Sequence, residues 1–292
     1  MLAQQLINGL MLGSTYALVA IGYALIFGVL RLLHLAHGEV YMVGAFAGIS
    51  LVLWLSVGPL TALIGGLVVA SLIGMLLELV AFRPIRRRRG GYLAPIVSSV
   101  GAGLVLQELV TKFYGAEQVS FPRQFESAVY YIVTIPVTGT QIFIVTVAVV
   151  SMFALHLFVG HTRVGAAMRA TSENIEIASI LGINVDHIVL LSFGIASGLG
   201  GIAGVLVGLN FNSVSPFMGI DMSIKGFAVM LIGGLGSIYG AMAGGLILGV
   251  VEVLSVAYLA SSYRDAFVFF LMILILLVRP RGLFSAGIEA EH

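Results

Sequence analysis

The chain has 292 residues, 60% of them apolar and only 9% charged, with a formal net charge of +1 at neutral pH. Soluble domains carry about 25% charged residues, so this composition excludes a soluble globular protein, and a charge near zero gives no basis for nucleic-acid binding. The absence of cysteine removes disulfides, thiolate metal sites and cysteine nucleophiles together. The expectation is an all-α polytopic membrane protein, a single transmembrane domain over 1–292 with glycine-rich helix packing and no cofactor or metal.

About 20 apolar residues cross a bilayer as a helix. Stretches of that kind lie near 5–30, 34–57, 60–82, 92–111, 137–159, 187–210, 237–260 and 264–279. A shorter run, 222–236, reads as a full span, a broken helix or a re-entrant segment, so the count is eight or nine. The first stretch lacks a basic start and continues past 20 residues, which argues against a cleavable signal peptide.

The second stretch opens with Arg31 and LeuHisLeuAlaHisGlyGluVal over 33–40. Gly38 can break or unwind a helix there, and transporters build sites on discontinuous helices. His37, Gly38 and Glu39 are therefore candidates for the translocation path. The alternative is a cytoplasmic helix cap with a satisfied carboxylate. Other ionisable groups at membrane depth are costly. Glu78, His156 and His187 fall near cytoplasmic span ends, where snorkelling or an interfacial hydrogen bond is expected. Glu108 and Glu252 fall near external ends, where a rim position or simple solvation is expected.

Residues 161–183 form a sizeable polar helical segment among apolar spans. The stretch is long enough for two short helices, with Arg163 and Arg169 on the first. Ser172 can cap the second, Glu173 and Glu176 favour its positive end, and Gly182 suits the left-handed residue that closes a helix. A structured basic helix pair on a membrane protein is expected to dock another protein.

The next span carries Gly194, Gly198, Gly200, Gly204 and Gly208, and 233–249 repeats the device with Gly236, Gly240, Gly244, Gly245 and Gly249. Small residues let helix backbones approach closely, so close packing is expected, or helices that slide along a path. LeuGlySerThrTyr at 12–16 against LeuGlySerIleTyr at 235–239 hints at a duplication.

Positive charge orients the chain. Ten of the 14 basic residues share one side if 83–91, 161–186 and the C-terminus share a compartment: Arg31, Arg83, Arg86, Arg87, Arg88, Arg89, Arg163, Arg169, Arg279 and Arg281. The other side keeps Lys112, Arg123, Lys225 and Arg264. The C-terminus and 161–186 are then cytoplasmic and 112–136 external, provided that 222–236 crosses. There is no HExxH, no nucleophile elbow and no phosphate loop. The chain is not expected to be an enzyme, and any ATPase that drives it must be another chain.

Three ordered segments carry a resemblance. NGLMLGSTYALVAIGYALIFGVLRLLHLAHGEVYMVGAF (8–46), TRVGAAMRATSENIEIASILGINVDHIVLLSFGIASGLGGIAG (162–204) and GFAVMLIGGLGSIYGAMAGGLILGVVEVL (226–254) resemble the bacterial branched-chain amino-acid ABC permeases. The length resembles the shorter, LivH-type permease. The resemblance implies a second permease of LivM type, two cytoplasmic ATPase subunits and a periplasmic substrate-binding protein, all working at the cytoplasmic membrane of a bacterium or archaeon. It implies that Arg163, Gly165, Arg169, Ala170, Asn174, Ala178, Gly182 and Ile183 couple to the ATPases, with Ile175, Ile177 and Ile180 as apolar contacts. The basic run Arg86–Arg89 reads as an anchor to anionic lipid, with an ATPase contact as the alternative. Leucine, isoleucine and valine are the implied cargo. Open alternatives are another small amino-acid, amide or urea solute, or an ion-coupled secondary transporter.

Overall fold

A computed structural model describes residues 2–56, 58–88, 91, 93–121, 128–132, 135–259 and 261–284. Arg89 and Arg123, both counted in the charge balance, lie outside the described residues. The first helix, α1 (Leu2–Leu30), is apolar around its whole circumference. Such a helix has no solvent face and belongs inside a bundle; accordingly every residue from Met11 to Ile26 is buried. Around it stand α2 (His37–Leu55), α3 (Pro59–Leu77), α5 (Leu93–Tyr114), α6 (Gly139–His161), α9 (Val185–Phe211), α10 (Met218–Gly233), α11 (Ile238–Tyr258) and α12 (Arg264–Val278). A π-helical turn, Glu78–Phe82, joins α3 to the short α4 (Arg83–Arg87).

Among the described residues seven helices are long and apolar enough to cross a membrane, counting Pro59–Arg87 as one. The helices α10 and α12 have 16 and 15 residues. At 1.5 Å per residue each is about 22–24 Å long, short of the roughly 30 Å hydrocarbon core. A second central helix, α9, packs on α1, α2 and α3, while α11 packs along α1. By contrast α5 and α6 are peripheral and present Leu104, Phe113, Val149 and Phe153 outward.

Glycines sit where these helices meet. A Cβ on Gly44 of α2 would lie 2.3 Å from Gly201 Cα of α9, and one on Gly201 would lie 2.3 Å from the Gly66 carbonyl oxygen of α3. Gly204 would meet the Tyr41 carbonyl at 2.2 Å, and Gly208 would meet Phe121 at 2.6 Å. At Gly194 and Gly198 the neighbours are the Met75 and Ser71 side chains. On the other side of the bundle, Gly240 faces Gly233, Gly244 faces the Val229 carbonyl at 2.9 Å, and Gly249 backs onto Gly13. Gly236 has a different reason to be glycine: its φ is +76°, in the turn between α10 and α11.

The fold is not purely helical. Beyond α5 and α9, β1 (Val119–Ser120) pairs antiparallel with β4 (Ser213–Val214), and β2 (Val129–Ile132) pairs with β3 (Ile135–Thr138). Thr138 then starts α6 through a capping box with Gln141, whose amide donates to Asn8 Oδ1 at 2.9 Å.

Two expectations fail here. Residues 31–36 are not helical, so the second helix begins at His37, three residues later than expected and unbroken at Gly38. The chain leaves α1 through Arg31 at φ 54°, in the left-handed region. Gly38 is needed for contact instead: a Cβ there would lie 2.1 Å from Ser223 Oγ and 2.2 Å from the Gly219 carbonyl. The duplication also fails, because 12–16 lies inside α1 whereas 235–237 is a turn and Ser237 is the N-cap of α11.

Candidate functional site

The polar segment folds as the expected helix pair, α7 (Arg163–Glu173) and α8 (Ile175–Ile180). Thr162 caps α7 by accepting from the Gly165 amide at 3.0 Å. Asn174, not Ser172, caps α8: its Oδ1 accepts from the Glu176 and Ile177 amides at 2.9 and 3.0 Å. The Ser172 hydroxyl is taken up by the Arg169 carbonyl at 2.7 Å. Gly182 has φ +84° and closes α8, with the Ile183 amide donating back to the Ala178 carbonyl at 3.0 Å.

The candidate coupling residues divide into two groups. Gly165 and Ala178 are buried within the chain. A Cβ on Gly165 would lie 2.3 Å from the Val159 carbonyl, so this glycine lets α7 fold tightly against the end of α6. Arg169 lies in the middle of α7, and its guanidinium donates to the Val159 and Gly160 carbonyls that end α6. That cation caps a helix C-terminus, where carbonyls lack partners, and the residue stays exposed. Arg163 and Asn174 are exposed, while Ala170 and Ile183 are half-buried. Large apolar side chains are exposed beside them: Ile177, Ile180 and Leu181 are 55%, 83% and 72% exposed.

The basic run is partly paired within the chain, although Arg87 and Arg88 stay exposed. Asp186, in the first turn of α9, takes Arg83 at 2.8 Å and both Arg86 and Arg87 at 2.7 Å. Arg86 also stands 2.7 Å from Glu78. Glu78 is fully buried in the π turn, so it does not snorkel as expected. Of the four arginines expected to form a lipid anchor, Arg86 and Arg87 are committed to Asp186, and Arg89 lies outside the described residues. His156 does make the expected hydrogen bond, with the Tyr239 hydroxyl at 2.8 Å, and His187 and Glu108 are exposed.

His37, Gly38 and Glu39 come together with α10, but as an enclosed layer. His37 is fully buried, with its ring 4.7 Å from that of Tyr23. His34 lies beside it among Phe82 and Phe193. Glu39 is buried against Gly219, in the first turn of α10. Its Oε2 has no hydrogen-bond partner among the described residues, so the satisfied cap expected as the alternative is not what forms.

A second charged cluster is one that the sequence does not reveal. Glu252 of α11 is 1% exposed, not at a solvated rim. It accepts from the Tyr16 hydroxyl at 3.1 Å, from Lys225 at 2.9 Å and from Arg264. An ion buried at this depth persists only when paired and hydrogen-bonded. Tyr16, Lys225 and Arg264 also line a cavity of about 460 Å³ with Tyr41, Met218, Asp221 and Met222 among its walls. Its other boundary is the loop between α9 and α10, including Ser213, Ser215 and Phe217. The arrangement offers fixed charge of both signs beside apolar surface.

Residues 5–276 match the family described as branched-chain amino acid transport system / permease component. The high-affinity branched-chain amino acid transport system permease protein LivH of Salmonella typhimurium is 39% identical over 96% of this chain and 94% of its own length. BraD, the corresponding permease protein of Pseudomonas aeruginosa, is 38% identical over the same shares. The permease protein LivM of Salmonella typhimurium is 26% identical over 92% of this chain and 67% of its own. No solved structure matches. A match that runs nearly from end to end, over a bundle of membrane-length apolar helices, places the chain in the permease-component family of branched-chain amino acid transport systems.

Proposed function

We propose that the chain is one permease half of an ATP-driven importer of leucine, isoleucine and valine. The observation that carries this reading is the near full-length identity of 38–39% to the LivH and BraD permease proteins. The partners are a LivM-type permease, two cytoplasmic ATPase subunits and a periplasmic binding protein. An ion-coupled mechanism is less well supported, because Glu252, a buried carboxylate, is already held by two cations. The test is uptake of labelled leucine in cells lacking other leucine importers. Uptake should appear only when this chain is expressed with its permease, ATPase and binding-protein partners. Uptake by this chain alone, or driven by a proton gradient without ATP, would overturn the reading.

In this reading α10 and α12 cross despite their length, making nine crossings with the N-terminus outside and the C-terminus in the cytoplasm. The end-to-end packing of α10 supports this: Val19 and Tyr23 of α1 meet Gly226, and Gly28 of α1 meets Gly236 beyond its end. A reporter fused after Gly282 is expected to behave as cytosolic and one inserted near Gln124, itself outside the described residues, as periplasmic. Both reporting the same side would refute the crossing of 222–236.

The pair α7 and α8 then faces the ATPases. Exposed apolar side chains on a water-facing element mark a partner surface, so Ile177, Ile180 and Leu181 seat in the ATPase while Asn174 and Gly182 hold α8 in shape and Arg163 meets the rim. Arg169, Gly165, Ala170, Ala178 and Ile183 fix the pair to the bundle. Ile180→Glu should therefore abolish ATPase co-purification, whereas Arg169→Ala should leave docking in place and lower uptake per ATP hydrolysed. Loss of docking in Arg169→Ala with normal docking in Ile180→Glu would reverse these roles.

A further inference from the structure

The cavity beside Glu252 has features that packing does not require. Asp221 and Lys225 are four residues apart on α10, so they share one face and would ordinarily attract each other. Lys225 instead reaches across to Glu252 at 2.9 Å. Asp221 is left exposed, with no ion pair or hydrogen bond among the described residues. An ionisable group near membrane depth faces water or a polar path, because lipid would not tolerate it.

Cations line this cavity as well. Lys225 and Arg264 share the single buried carboxylate of Glu252. Asp265, 70% exposed, touches Lys225 at 3.3 Å, so the two cations and the two carboxylates balance in formal charge. Arg264 is only partly covered and contacts the Tyr16 hydroxyl at 3.5 Å, which leaves guanidinium donors free for a ligand. Val207, Phe217, Met218 and Met222 supply apolar lining to the same cavity. The volume, about 460 Å³, falls in the range of small-molecule sites, roughly 300–1,000 Å³.

We propose that this cavity is a resting site for an amino-acid zwitterion on its way through the permease. The α-carboxylate lies toward Arg264 and Lys225, the α-ammonium toward Asp221, and an aliphatic side chain against Met222 and Phe217. Simple anions are opposed by Asp221 and simple cations by Arg264, so the site selects the paired charge of the backbone and leaves the side chain to the apolar wall. The inference rests on the importer reading given above.

The test uses the complete transporter in membrane vesicles. Asp221→Asn and Arg264→Gln are each expected to lower the maximal rate of leucine uptake about tenfold or more, because each removes a charge-assisted contact. Assembly and leucine-independent ATPase activity should be retained. Since the chain has no cysteine, a Met218→Cys variant provides a second measurement that does not depend on those charges. Its labelling by N-ethylmaleimide should slow when leucine, binding protein and ATP are present together. Active wild type with unimpaired Asp221→Asn and Arg264→Gln, or unprotected labelling in an active Met218→Cys, overturns the site alone. A wild type that moves no leucine overturns both this inference and the importer reading.

Discussion

Gly204→Leu is expected to abolish uptake and sharply reduce the amount of folded protein in the membrane. The site has no slack: even a Cβ would lie 2.2 Å from the Tyr41 carbonyl oxygen and 3.1 Å from the Ala45 amide. Both neighbours are backbone of α2, which cannot rotate away as a side chain can. Overpacking of a filled core costs roughly 1–3 kcal/mol and occasionally more, and here α2 and α9 would also have to part along their length. The shift would pass to α3, because Gly201, one turn away on α9, meets both Gly44 and Gly66. Gly204→Ala should show the same defect in smaller degree. Gly101 of α5 is the control, since a Cβ there meets nothing within 4 Å. Gly101→Ala is expected to be neutral or slightly stabilising, as removal of a helix-interior glycine is worth about 0.5–1 kcal/mol. Protein yield, detergent-stability and uptake measured together check this. Normal yield and uptake from Gly204→Leu would show that α2 and α9 do not meet at this face.

Glu252→Ala is expected to be nearly as damaging for an electrostatic reason. It leaves Lys225 and Arg264 facing each other without the carboxylate that both now share. Removing one partner of a buried ion pair costs about 3–5 kcal/mol, because the remaining charge is stranded in a poor solvent. Partial exposure of Arg264, 36% for its side chain, and the contact of Lys225 with Asp265 place the effect toward the lower end of that range. Glu252→Gln keeps an acceptor for the Tyr16 hydroxyl but not the charge, so it should be intermediate. Adding Lys225→Met to Glu252→Ala should recover part of the lost thermal stability, since it removes one stranded cation. A double variant no more stable than Glu252→Ala, with Lys225→Met alone neutral, would mean that Lys225 and Glu252 are not energetically coupled.

Much of the scaffold was legible because hydropathy is a local property. The stretches 137–159, 187–210 and 237–260 correspond to helices Gly139–His161, Val185–Phe211 and Ile238–Tyr258. Gly182 closes the polar pair as read, through a bond over five residues, whereas the caps that start the two helices are Thr162 and Asn174 and not the expected Ser172. The non-helical 34–36 was hidden because histidine, leucine and alanine have the same hydropathy in an extended chain as in a helix. The duplication misled because five similar residues carry no information about whether they lie inside a helix or at its cap.

The candidate sites were less legible because side-chain partners are distant in sequence. Glu252 reaches Tyr16, 236 residues away, and Asp186 reaches Arg83, Arg86 and Arg87, about 100 residues away. From sequence Glu252 was an isolated charge near a span end, for which solvation is the simplest partner. The Arg169 guanidinium illustrates the same difficulty over a short distance. Its position on a polar helix was evident, but that it would turn back to the carbonyls ending α6 depended on the angle between the two helices.

The amino-acid sequence by itself determined that this protein lives in a membrane, where its helices fall, which stretches are rich in small residues, and which segment is a polar helix pair. Those properties follow from transfer free energy and local backbone preference, both summed over neighbouring residues. Only the tertiary structure decided which glycines touch, which charges are neutralised within the chain, and which remain over to face a cavity or a partner. Pairing depends on the register and crossing of α1, α10, α11 and α12, and that geometry is fixed by packing across the whole bundle.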